Sequence, residues 1–179
     1  TTMLTNQANV EFKAELRDLR LARSIARLSG ATCVLTCEQT DTYFSVVRGR
    51  LKKREERYLD GTSECEWIFY ERPDGPGART SRYSILSPEE AAERFGALPL
   101  PCRVVVRKQR EVHMLENVRI HLDVVEDLGS FLEFEAIVSP AHNMGRCKRQ
   151  VEHLRRRFTP ALGEAIAVSY SDLLEAVAA

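Results

Sequence analysis

At 179 residues the chain is long enough to bury a core without disulfide support and short for two domains, so one domain over residues 1–179 is expected. Lys+Arg and Asp+Glu balance at 26 each and aromatic residues make up only 7%, which leaves neither a global basic field nor a stacking platform for nucleic acid, and no field to draw the chain to a membrane. Five cysteines, odd in number and without a Cys-x-x-Cys pair, argue against a disulfide framework or structural zinc; with a polar Thr1–Ala8, no signal-peptide pattern and no apolar run that spans a bilayer, a cytoplasmic setting is expected.

In chain order, Asn9 to Glu15 alternates polar and apolar residues with the period of a strand. Asp18 to Leu28 carries Leu21, Ile25 and Leu28 at helical spacing and closes at Gly30, where a helix C-cap is expected. Cys33–Cys37 and Thr42–Val47 read as two strands around a turn at Glu38-Gln39-Thr40-Asp41, followed by a basic strand from Arg48 to Glu55. A strand from Glu64 to Arg72 ends in the turn chemistry of Pro73–Gly77, and a further strand runs from Arg79 to Ile85. Ser87-Pro88 starts a helix with Ser as N-cap. Strands are expected again at Arg103–His113, Asn117–Val125 and Phe131–Val138, the last two joined through Asp127–Ser130. Met144–Phe158 places Cys147, Val151, Leu154 and Phe158 on one helical stripe, and a short helix over Ser171–Val177 has Asp172 near its positive end.

Many consecutive antiparallel strands with one apolar and one charged face leave two architectures open. In an open sheet the charged faces meet water and helices cover the apolar face; in a closed barrel the charge lies inside and helices pack outside. The residues alone favour the open sheet, although the charge is ordered in blocks rather than scattered.

Two constellations carry chemistry. Glu11, Asp123, Glu133 and Glu135 are carboxylates on strand faces, Glu133 and Glu135 sharing one face at i, i+2; hard divalent cations take such oxygen ligands, together with phosphate oxygens. Lys13, Arg48, Arg50, Lys52, Arg54, Arg72, Arg82, Lys108, Arg110 and Arg119 form a basic set with period two on separate strands, suited to a row of phosphates through Arg forks and mobile Lys charges. Singly, each residue reads as a solvated surface group. His121 stands apart from the other histidines because it shares a strand face with Asp123. Walker, Gly-x-Gly-x-x-Gly, Gly-x-Ser-x-Gly and His-Glu-x-x-His patterns are absent.

Glu11-x-Lys13, Gln39-x-Asp41-Thr42-Tyr43-Phe44, Gly49-Arg50-Leu51-Lys52, Tyr70-x-Arg72, Lys108-x-Arg110, Leu122-Asp123-x-Val125-Glu126-x-Leu128-Gly129 and Phe131-x-Glu133-x-Glu135, in this order, resemble the CYTH superfamily of triphosphate tunnel metalloenzymes. The branch that includes class IV adenylyl cyclases and thiamine triphosphatases is nearest, and Ser169-Tyr170-Ser171-Asp172-Leu173-Leu174 is similar to its closing segment.

The resemblance implies an α+β fold built on an eight-stranded antiparallel barrel, a triphosphate tunnel with helices packed outside. It implies a metal-dependent triphosphatase, or alternatively a cyclase that converts ATP to cyclic AMP and pyrophosphate, or a protein that binds nucleotide or polyphosphate without turnover. Mg²⁺ or Mn²⁺ would sit on Glu11, Asp123, Glu133 and Glu135, with Glu126 secondary; Lys13, Arg48, Arg50, Lys52, Arg72, Arg82, Lys108, Arg110 and Arg119 would hold phosphates, and Lys13, Arg50 and Lys108 would be catalytic. The implied partner is a small-molecule triphosphate (ATP, thiamine triphosphate or inorganic triphosphate), with neither nucleic acid nor membrane, in a monomer or homodimer. The family opens on Glu-x-Glu-x-Lys, whereas Asn9 stands at the first glutamate, so a weakened metal site or a loosely held second ion is expected, with Glu15 on the same face as a substitute.

Overall fold

The structure, a computed structural model, describes residues 7–71, 78–96 and 100–179. Among these residues nine strands form one sheet: β1 (Gln7–Leu16), β2 (Thr32–Phe44), β3 (Arg50–Tyr58), β4 (Ser63–Glu71), β5 (Arg79–Leu86), β6 (Cys102–Leu115), β7 (Val118–Val125), β8 (Gly129–Ile137) and β9 (Leu162–Ala165). Their order is β5-β4-β3-β2-β6-β7-β8-β1-β9, and β1 pairs with β5 as well. That additional pairing closes β1 to β8 into an antiparallel barrel. One edge of β1 serves two partners: Gln7–Glu11 lie against β5, while Ala14 and Leu16 lie against β9.

Each α-helix among the described residues is fixed by a side-chain cap that takes up a terminal N–H. Asp18 accepts from the Leu21 amide at α1 (Leu19–Leu28), and Asn143 does the same for α3 (Met144–Phe158). Ser87 with Glu90 and Ser169 with Asp172 form capping boxes for α2 (Pro88–Phe95) and α4 (Tyr170–Ala178).

Strand alternation places the apolar side chains outside the barrel, under the helices. Val10, Phe12 and Ala14 of β1, Val118, Ile120 and Leu122 of β7, and Leu132, Phe134 and Ala136 of β8 form one buried cluster with Ala22 and Ala26 of α1 and Cys147, Val151, Leu154 and Phe158 of α3. A second cluster under α2 holds Leu51, Trp67, Phe69, Leu86 and Ala91. Fully burying one such large side chain contributes about 1.5–3 kcal/mol, so these two helix-covered faces stabilise the closed barrel. The intervening positions, Asn9, Glu11 and Lys13 on β1 and Glu133 and Glu135 on β8, then necessarily face the lumen.

The closed barrel replaces the open sheet that the residues alone favoured. No turn breaks at Glu38–Asp41: β2 runs through it, paired on one side to Arg54–Arg57 and on the other to Val106–Gln109. The polar run is strand because alternate residues, Gln39 and Asp41, point into a polar interior where they are buried. The chain reverses instead around Gly49, whose φ of 70° and whose Cβ position 2.5 Å from the Phe69 ring both require glycine. Hence β3 starts at Arg50, leaving Val47 and Arg48 outside any strand. The short strand β9 was not anticipated, and Arg72 and the turn at 73–77 lie outside the described residues.

Candidate active site

The lumen contains a cavity of about 430 Å³, within the ~300–1,000 Å³ typical of small-molecule clefts. It is lined by Lys13, Lys52, Arg54, Lys108, Arg110 and Arg119, by Glu11, Glu56, Glu66, Glu133 and Glu135, by Asn9 and Ser169, and by Tyr43, Tyr70, Tyr83, Tyr170, Ile68 and Ile85. Lys13, Lys52, Lys108 and Arg110 are all buried. Buried cations need counter-charges, and for Lys52, Lys108 and Arg110 two buried carboxylates supply them from inside the barrel wall.

Asp41, fully buried, accepts both fork nitrogens of Arg54 at 2.8 Å, Lys52 at 3.0 Å and Lys108 at 3.5 Å. Burial alone would raise its pKa; Arg54, Lys52 and Lys108 outweigh burial and hold the carboxyl well below its usual range. Asp123, fully buried, accepts Arg110 at 2.7 and 2.6 Å and the Tyr170 hydroxyl at 2.8 Å. Burial and the neighbouring Arg110 together depress Lys108 to about 7. Burial, then Arg110, likewise lowers His121 to about 4.

Cross-strand register builds the acidic wall. Glu11 on β1 faces Glu135 on β8 and Lys13 faces Glu133, while on the other side of β8 Arg119 faces Glu135 and His121 faces Glu133. Directly opposed side chains of this kind sit about 4.5–5.5 Å apart at Cβ. Arg119 bridges Glu135 at 3.3 Å, and Glu133 lies 3.5 Å from Arg110 and 3.8 Å from Lys13. Lys13, Arg110 and Lys108 hold the Glu133 carboxyl well below its usual range against the opposing effect of burial.

α4 closes one end. Lys13 sits 4.1 Å from the centre of the Tyr170 ring and donates to the Val168 carbonyl at 3.2 Å; Lys108 lies 5.0 Å from the same ring. Asp172, two residues on, takes a bidentate pair from Arg50 at 2.8 and 2.9 Å and a further contact from Arg103 at 3.3 Å.

Of the residues singled out in sequence, Lys13, Lys52, Lys108, Arg110, Arg119, Glu11, Glu133 and Glu135 converge on the cavity. Arg50 is turned to Asp172 at the α4 end and does not line the main cavity. Arg48 is 87% exposed and paired with Glu71, and Arg82 is exposed on β5, so neither reaches the lumen. Asp123 points inward but is sequestered by Arg110 and Tyr170, and Glu126 is exposed. Glu15 accepts from the Glu164 amide beside β9 instead of substituting for the missing glutamate. Arg72 lies outside the described residues. Arg54, which the basic pattern includes and the family resemblance does not assign, also lines the cavity, and Asp41, Glu56, Glu66 and Tyr170 were missed; the unbroken alternation Arg50-Lys52-Arg54-Glu56 carries the lumen face on to Glu56.

The donor set fits a divalent cation. Glu11, Glu133 and Glu135 offer hard oxygens, and two buried polar atoms beside them, Asn9 Oδ1 on the cavity lining and His121 Nδ1 on the ring that neighbours Glu133 and Glu135, have no hydrogen-bond partner among the described residues. Unsatisfied buried acceptors are costly unless something else completes them. No helix among the described residues is long and apolar enough to cross a membrane.

The CYTH domain family model matches residues 7–170. No curated protein matches. Among solved structures, the PH1819 protein of Pyrococcus horikoshii superposes with a TM-score of 0.71 at 22% identity, covering 94% of this chain and 99% of the other. A candidate adenylate cyclase from Vibrio parahaemolyticus gives 0.66 at 16% identity over 94% and 98% of the two chains. HpAC1 from Hippeastrum, a candidate adenylyl cyclase described as having a dominant triphosphatase activity, gives 0.60 at 13% identity over 94% and 96%. These likenesses establish the fold, and with the match over 7–170 the chain belongs to the CYTH domain family.

Proposed function

We propose that the protein binds the triphosphate group of a small molecule in the barrel lumen and hydrolyses it with the help of Mg²⁺ or Mn²⁺. The observation that carries this reading is the pair of opposed walls: Lys52, Arg54, Lys108 and Arg110 on β3 and β6 against Glu11, Glu133 and Glu135 on β1 and β8, with Lys13 and Arg119 between the carboxylates. A chain of phosphates needs several cations in a row, and among the described residues Lys52, Arg54 and Lys108 share one carboxylate, Asp41, in the lumen wall.

Phosphoryl transfer depends mainly on alignment and on neutralising charge over the transferred group. Arg54 and Arg110, whose Nε and Nη2 are held by Asp41 and Asp123, would offer their Nη1 side to non-bridging oxygens, while Lys13, Lys52 and Lys108 follow the charge as it shifts toward the leaving oxygen. Asp41 pre-orders Arg54, Lys52 and Lys108 before substrate arrives, and Asp123 with Tyr170 fixes Arg110. Glu11, Glu133 and Glu135 would hold the cation, which supplies charge neutralisation and a more acidic bound water. Tyr43, Tyr70, Tyr83, Ile68 and Ile85 form the less polar wall against which an organic group attached to the triphosphate would rest.

The same wall supports a second reading, cyclisation of ATP, in which the ribose 3′-hydroxyl attacks the α-phosphorus; fold likeness to the Vibrio parahaemolyticus candidate cyclase is consistent with it. ³¹P NMR with ATP, inorganic triphosphate and thiamine triphosphate, each with Mg²⁺ and then Mn²⁺, separates the readings. Orthophosphate supports hydrolysis, pyrophosphate with cyclic AMP supports cyclisation, and line broadening without turnover leaves a binding protein. Glu133→Gln with Glu135→Gln should abolish metal-dependent turnover and retain metal-free phosphate binding; full activity in that variant refutes the metal assignment.

A further inference from the structure

His121 is buried, lies on the lumen phase of β7 between Arg119 and Asp123, and faces Glu133 across the β7–β8 ladder. One of its ring nitrogens and one carboxylate oxygen each from Glu133 and Glu135 lie within 4.8 Å of one another. Its Nδ1 is buried and has no hydrogen-bond partner among the described residues, which an imidazole kept only for packing does not require. The ion pairs of Glu133, 3.5 Å to Arg110 and 3.8 Å to Lys13, and of Glu135, 3.3 Å to Arg119, are all longer than a usual charged hydrogen bond, which leaves either carboxylate able to turn to an ion while the cations turn to phosphate.

We propose that His121 is a nitrogen ligand in the metal site formed with Glu133 and Glu135, and that it biases the site toward Mn²⁺ and other first-row transition metals over Mg²⁺. The inference rests on the metal site assigned above and adds an imidazole to a set otherwise made of oxygens. Mg²⁺ demands near-octahedral oxygen ligation and holds its waters tightly, whereas imidazole suits transition metals, whose affinity for nitrogen sites rises along the first row. The neutral amide at Asn9, in place of a carboxylate, reduces the negative charge available to Mg²⁺ and increases the share of binding that His121 supplies.

The test is pulsed EPR of the intact protein loaded with Mn²⁺ alone, natural and ¹⁵N-histidine labelled, alongside Mn²⁺ and Mg²⁺ titrations of wild type and His121→Gln. The expected result is nitrogen modulation that changes with the isotope and disappears in H121Q, with Mn²⁺ affinity lower by about tenfold or more and Mg²⁺ affinity within about threefold of wild type. Mn²⁺ bound without nitrogen modulation in the wild type, and lost on Glu133→Gln with Glu135→Gln, overturns the His121 assignment and leaves the carboxylate site standing. Absence of Mn²⁺ binding overturns both. The wild-type spectrum decides the assignment even if H121Q does not fold.

Discussion

Replacing Asp41 with Asn leaves Arg54, Lys52 and Lys108 without the carboxylate they share. Asp41 is fully buried and accepts four contacts at 2.8, 2.8, 3.0 and 3.5 Å, so no water shell can take over its charge. Removing one partner of a buried ion pair costs about 3–5 kcal/mol, because the opposite charge stays behind. Lys108, already depressed to about 7, escapes part of that cost by losing its proton, but Arg54 cannot deprotonate. For a chain of this length ~1 kcal/mol corresponds to about 2–4 °C in Tm, so the Asp41→Asn midpoint should fall by about 6–20 °C. Inorganic triphosphate should return much of the loss: it replaces the missing anion, and a ligand at a hundred times its Kd adds about 2.7 kcal/mol. Scanning calorimetry of both proteins with and without inorganic triphosphate measures each quantity. A variant within about 2 °C of wild type, or one that triphosphate stabilises no more than wild type, refutes the role of Asp41 as an internal stand-in for phosphate.

Lys108 gives a pH signature. Its folded value of about 7 lies below the ordinary 10.5, so between these values the unfolded chain binds the extra proton and stability rises with pH through the window; the penalty is full below about 7 and gone above about 10.5. Arg110 and Arg54 oppose its charge while Asp41 and Asp123 favour it, and an arriving triphosphate should return the proton. Calorimetric titration at pH 8.5 in buffers of different ionisation enthalpy should therefore show proton uptake on binding, absent in Lys108→Met; equal uptake in both assigns the proton elsewhere. Asn9→Glu restores a carboxylate beside Glu11 and should strengthen Mg²⁺ binding and raise metal-dependent turnover, and no change in either removes Asn9 as a limiting position.

The lumen was legible in sequence where alternation is strict and was misread where it depends on pairing. Glu11-x-Lys13 and Glu133-x-Glu135 face one another because β1 and β8 are adjacent in register, and each motif showed its charged face alone. Glu38–Asp41 looked like a turn because polar residues normally mark solvent; inside a barrel with a polar core that signal inverts, and the same inversion hid Asp41. Arg48 shares the period of Arg50 and Lys52 but precedes the reversal at Gly49, so the run of basic residues leaves the barrel before the strand begins. Asp123 read as a metal ligand because its bond to Arg110 arises from the β6–β7 register, which spacing along one strand does not reveal. The tyrosine that closes the cavity comes from α4, where the last helix meets the barrel.

The most direct test is a crystal structure with inorganic triphosphate and Mn²⁺. The triphosphate should lie in the lumen on Lys52, Arg54, Lys108, Arg110 and Arg119, with the anomalous Mn²⁺ signal between its oxygens and Glu11, Glu133 and Glu135. A triphosphate bound outside the barrel, at Arg48 or Arg82, with the lumen still bridged by Asp41, contradicts a phosphate-binding tunnel.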